Sequence, residues 1–134
     1  MHLIDTNIFL EVLLARAGKE SCKKLLRKLR DGKETGVLTD FSVHSIMVIM
    51  DAFRKPNELR MFLSSLSAYK GLHIFFTDLP IEIKAAELAS EKGLDIDDAV
   101  QYSATLSAGA EYIVSYDKHF ENLEIPRKTP EQLI

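Results

Sequence analysis

Asp5, Asp98 and Asp117 stand at three places where an apolar run gives way to a helix or turn, and carboxylates gathered from such places do one kind of chemistry well. Two carboxylates about 4 Å apart repel by roughly 4 kcal/mol at an effective dielectric near 20, so a cluster of them takes up protons or holds a cation. Oxygen-only ligands suit hard divalent ions, Mg2+ or Mn2+. An ion held by few carboxylates keeps positions open for water and phosphate oxygens, as metal-assisted phosphodiester hydrolysis requires. Each aspartate taken alone has a plainer reading as a helix cap. Asp95 and Asp97 complicate the second position, because either could cap the helix. Adjacent helical side chains diverge by about 100°, so only one of Asp97 and Asp98 is expected to face Asp5.

Placing these acids is the work of short strands followed by helices. Residues 2–5 read as a buried strand, and Ile8, Phe9, Val12 and Leu13 continue with helical period to Gly18, with Thr6 or Asn7 placed to cap. A second helix over 19–31 carries Cys22, Leu25, Leu26 and Leu29 on one stripe and stops at Gly32. Residues 35–38 are the next strand candidate. Thr39 or Asp40 then caps an apolar helix reaching Phe53, and Pro56 opens another that closes at Gly71. Leu72 to Thr77 reads as a third strand, Pro80 to Gly93 and Ile96 to Ser107 as helices, and Tyr112 to Ser115 as a fourth strand. A small final strand is expected in the tail around Pro126 and Pro130. Strands alternating with helices imply parallel pairing through crossovers, an α/β layered fold in which ligands gather beyond the carboxyl ends of the strands.

The chain's 134 residues fit one domain over 1–134 with one site. No apolar run reaches the roughly 18 residues of a membrane span, so no membrane partner is expected. Asp5 interrupts the N-terminal apolar run, which argues against a signal peptide. The lone Cys22 has no partner for a disulfide and reads as a core residue of a cytoplasmic protein. A net charge of −3 argues against coating nucleic acid by bulk attraction. Local contact stays open: Lys23, Lys24, Arg27 and Lys28 line the outer face of the second helix, which is either a solvated surface or a grip on an RNA backbone.

The stretches Leu3-Ile4-Asp5-Thr6-Asn7-Ile8-Phe9, Asp97-Asp98-Ala99 and Ile113-Val114-Ser115-Tyr116-Asp117-Lys118-His119-Phe120, in this order and spacing, resemble the PIN-domain family, which includes the VapC toxins of prokaryotic toxin–antitoxin pairs. The resemblance spans essentially the whole chain. It implies a three-layer sandwich, a central parallel sheet flanked by helices, and a ribonuclease dependent on Mg2+ or Mn2+. It places Asp5, Asp98 and Asp117 as metal ligands, with Asn7 and Ser115 as supporting polar groups and His119 in a minor role near metal or substrate. Implied partners are an RNA substrate and an antitoxin protein. A surplus of apolar residues on the first and fourth helices reads as core, as an antitoxin groove, or as a surface for a homodimer.

One position departs from the family pattern. A further acid, usually Glu, is expected on the helix after the second strand, and counting from Thr39 leads to His44. Asp40 stands one helical turn earlier and is a candidate for the missing charge. His44 itself either holds a metal-bound water or phosphate, or packs as a buried histidine. Two rivals follow: a PIN-like RNA-binding or protein-interaction module that has lost catalysis, and a phosphatase of the haloacid dehalogenase type. The second wants an Asp where this chain has Asn7.

Overall fold

Alternation of side chains along each strand decides the layering. The computed structural model describes residues 1–134. In it, Leu3, Val37 and Ile113 point to one side of the sheet and Ile4, Leu38 and Val114 to the other, the period of two that a pleated strand imposes. Runs apolar on both faces belong in a parallel sheet covered on both sides. The strands are β1 (His2–Ile4), β2 (Gly36–Thr39), β3 (Leu72–Phe75), β4 (Tyr112–Val114) and β5 (Arg127–Lys128). They form a single parallel sheet in the order β3-β2-β1-β4-β5.

Helices α1 (Thr6–Leu13), α2 (Lys19–Arg30), α3 (Asp40–Ala52) and α4 (Pro56–Leu66) supply the core on the Ile4 side, through Phe9, Leu25, Leu29, Ile46, Met50 and Phe62. Helices α5 (Leu79–Lys92) and α6 (Ile96–Ala108) cover the opposite face with Ala85, Leu88, Ala99, Val100, Tyr102 and Ala104. Small side chains let α5 and α6 approach closely, and the Ser103 hydroxyl donates to the Ile81 carbonyl between them at 2.8 Å. The α/β sandwich is the architecture expected. Cys22 is wholly buried, as expected of a core thiol. No helix is long and apolar enough to cross a membrane.

Several boundaries differ from the sequence reading, each for a physical reason. Helix α1 stops at Leu13 rather than running to Gly18, because Ala15 takes a left-handed conformation with φ 51°. The N-cap position of α1 is Asp5, not Thr6 or Asn7, and its carboxylate makes no cap bond because it is engaged elsewhere. Helix α4 ends at Leu66 instead of reaching Gly71, and β3 is two residues shorter than the apolar run that announced it. Thr39 caps α3 by accepting from the Ser42 N–H, and Asp95 caps α6 by accepting from the Asp98 N–H, both at 2.9 Å.

Candidate metal centre

From β1 the chain winds outward to β2 and β3, then returns to lay β4 on the other side of β1. The gap between β1 and β4 at their carboxyl ends is therefore the switch point where open α/β sheets hold ligands. Register pairs Ile4 with Val114, which brings Asp5 and Ser115, the next residues along, side by side. The Ser115 hydroxyl donates to Asp5 Oδ2 at 2.7 Å and accepts from the Asp117 N–H at 2.9 Å, tying the two acidic loops together. From the helical layer, the Gln101 amide donates to Asp5 Oδ1 at 3.0 Å. Asp5 is only 1% exposed, and burial pushes its carboxyl above the usual range against the lowering pull of the Ser115 and Gln101 bonds.

Asp98 leaves the first turn of α6 towards Asp117 and His119. Nδ1 of His119 lies 3.4 Å from Asp98 Oδ2 and 3.2 Å from Asp117 Oδ1, while its backbone N–H donates to the same Asp117 oxygen at 2.8 Å. The donor atoms of Asp98, Asp117 and His119 all fall within 4.8 Å of one another. Desolvation, then the charges of Asp117, Asp95 and Asp5, push the Asp98 carboxyl up to about 7. Asp97 shares the trend through burial and the charges of Asp5 and Asp95, against a lowering pull from Gln101, and its buried Oδ1 has no hydrogen-bond partner. Carboxylates of Asp98 and Asp117 held this close, with desolvation and the charge of Asp117 both opposing ionisation of Asp98, are a donor set short of positive charge. A divalent cation fits it.

The sequence matches the family model described as PIN domain over residues 2–126. The chain belongs to the PIN domain family. Solved structures similar to it confirm the fold. A toxin–antitoxin complex from Klebsiella pneumoniae aligns with TM-score 0.71 and 18% identity over 97% of this chain and 98% of that one. VapC20 of Mycobacterium tuberculosis, a toxin that cleaves the sarcin–ricin loop, aligns with TM-score 0.73 and 10% identity over 87% and 90%. VapBC2 of Rickettsia felis, bound to a DNA fragment from its promoter, aligns with TM-score 0.68 and 17% identity over 96% and 97%. Comparison with curated proteins gives no match.

Within this PIN fold, the expected site residues do not all converge. Asp98, Asp117 and His119 bring their donor atoms together, while Asp5 stays outside that group, buried and joined to the Asp117 loop through Ser115. Asn7 is exposed and its side-chain oxygen accepts from the Arg16 guanidinium at 3.4 Å, while its backbone N–H supports the Asp5 carboxylate. Asp40 is engaged elsewhere by one oxygen: its Oδ1 accepts from the Thr77 N–H at 2.9 Å and the Thr77 hydroxyl at 3.0 Å. Those bonds staple the start of α3 to the loop after β3. His44 is exposed rather than buried, and lines a shallow depression of about 440 Å3 with Phe41, Ser45, Val48, Ile49 and Asp97. Of the acidic pair, Asp98 turns to Asp117 and Asp97 to this depression, while both feel the charge of Asp5. Gln101 is the residue the sequence reading missed. Its signal was there: it is the one long polar side chain among the apolar and small residues 99–106, and it follows Asp97 by one helical turn.

Proposed function

We propose that this PIN-domain chain is a divalent-metal-dependent endoribonuclease, the toxin of a toxin–antitoxin pair. The observation that carries the reading is the convergence of Asp98 and Asp117 at the switch point of the sheet, with the buried Asp5 tied to the same loop through Ser115. Asp5, Asp98 and Asp117 would hold the ion. An ion bound there, Mg2+ or Mn2+, would lower the pKa of water and neutralise charge on a phosphodiester oxygen. The chain's own part is to fix the acids. Ser115 bridges the two loops, Gln101 holds Asp5 from the helical layer, and the His119 N–H sets the rotamer of Asp117. The ribonuclease reading draws support from family membership, and the toxin reading from the toxin–antitoxin complexes among the structural neighbours.

The same reading assigns two surfaces. A groove of about 400 Å3 between α1, α2 and α4, lined by Phe9, Val12, Leu13, Leu26, Met61 and Phe62, suits the apolar face of an antitoxin segment. Val48 on α3 and Leu79 and Ile83 on α5 are exposed apolar residues suited to a homodimer contact. RNA cleavage measured with Mn2+ and with EDTA, for the native chain and for Asp5→Asn, tests the activity. Cleavage confined to the native chain with Mn2+ supports it, and equal cleavage in all four reactions sinks it.

A second reading has its own observation. With Asp40 tied to Thr77 and His44 exposed, neither residue replaces the acid usual on this helix, which favours an RNA-binding or protein-interaction module without catalysis. Calorimetric titration with Mn2+ separates the two, since clear binding abolished by Asp98→Asn speaks against the module.

A further inference from the structure

The compact part of the donor cluster is not all oxygen. Nδ1 of His119 is as close to Asp98 and Asp117 as a shared ligand shell requires, 3.4 and 3.2 Å from their nearest oxygens. The imidazole is 70% exposed, yet its backbone is fixed from three sides. The His119 N–H donates to Asp117, the neighbouring Phe120 is fully buried, and the preceding loop is braced by the Arg127 guanidinium, which donates to the Ser115 carbonyl at 3.0 Å and pairs with Glu121 at 2.6 Å. In the tautomer that carries its proton on Nε2, the ring presents its Nδ1 lone pair to the space between the two carboxylates.

We infer that His119 ligates the metal ion through Nδ1, and that this nitrogen makes the centre prefer a first-row transition ion, Co2+ or Mn2+, over Mg2+. The inference rests on the metal-dependent reading of the site given above and specifies its ion. Mg2+ is a hard ion that takes oxygen ligands and keeps its waters. Imidazole is a borderline donor whose bond strengthens along the first transition row. Adding one imidazole to the carboxylates therefore makes a mixed set, in which replacing the nitrogen costs a transition ion more than it costs Mg2+.

The test titrates Mg2+ and Co2+ separately into the native chain, His119→Ala, His119→Asp and Asp98→Asn by calorimetry, and records electron spin echo modulation from bound Mn2+. Loss of a ligand is expected to weaken Co2+ binding by ~10-fold or more in His119→Ala while Mg2+ binding moves by less than ~3-fold. Modulation from imidazole nitrogen is expected in the native chain and absent in that variant. His119→Asp is expected to bind Mg2+ at least as well as the native chain, with the Co2+ preference collapsed, which also shows that the loop folds without the imidazole. An equal fall for both ions in His119→Ala, or no nitrogen modulation in the native chain, overturns the inference. If binding requires Asp98 but ignores His119, the metal-dependent reading stands and this inference alone falls. If no ion binds the native chain, or if Asp98→Asn binds as well as it does, both fall.

Discussion

Asp98 carries an electrostatic cost at the site, and its cost has a sign. Its carboxyl is raised to about 7 in the folded chain against an ordinary value of 3.8. Between those values the folded state holds a proton that the unfolded state has lost, so stability falls as pH rises from about 4 to about 7 and levels off above. Without divalent ions, the chain should be less stable at pH 8 than at pH 5 by roughly 1–3 kcal/mol, with Asp5 and Asp97 adding in the same direction. Asp98→Asn should flatten that slope, which denaturant melts in EDTA across this pH range would measure. A slope unchanged in the variant would mean that Asp98 is not the strained group. Ser115 makes the opposite kind of contribution, since it satisfies buried Asp5 and the Asp117 N–H together. Ser115→Ala should cost about 1–3 kcal/mol in the same melts. Residue identity revealed the acids but not their partners. Gln101 meets Asp5 only because α6 lies across β1, and Asp40 is claimed by Thr77 in the loop after β3, contacts that spacing along one helix does not encode.

At the scale of elements, the apolar pairs Leu3-Ile4, Val37-Leu38 and Ile113-Val114 made β1, β2 and β4 legible, because only a strand covered on both sides needs consecutive apolar residues. Helix ends were less so. The periodicity of α1 continues past the point where Ala15 turns the backbone left-handed, and nothing local marks the break. Gly71 was read as a stop, but its role is a close approach. A Cβ there would lie 2.0 Å from the Glu34 carbonyl oxygen, where the turn before β2 crosses the turn before β3. Gly71→Ala should therefore destabilise by about 3 kcal/mol or more, as thermal melts would show, because the obstruction is backbone that has no rotamer to change. A melting curve unchanged from the native chain would contradict that packing. At the start of α6, the Asp95 cap sets where Asp98 sits. Asp95→Ala should cost about 1 kcal/mol of stability and also weaken metal affinity, a pairing that calorimetry on the folded variant would detect.

At the scale of the whole molecule, the order β3-β2-β1-β4-β5 makes one edge of the sheet the meeting place of residues more than a hundred positions apart. That convergence was expected from alternating strands and helices, and the family resemblance named its chemistry. The resemblance put His119 near the metal or substrate, but not its closeness to both acids, because spacing within the turn after β4 does not show that α6 brings Asp98 to within 3.4 Å of its Nδ1. If the centre binds a cation in the folded state alone, Mn2+ at 100 times its dissociation constant should add about 2.7 kcal/mol of stability. The gain should be larger at pH 8 than at pH 5.5, where protons compete for Asp98. The most direct measurement is a crystal soaked in Mn2+, examined by anomalous scattering. The account predicts a peak at ligation distance from the carboxylates of both Asp98 and Asp117. A crystal with no peak there, or with its peak at another surface, would contradict it.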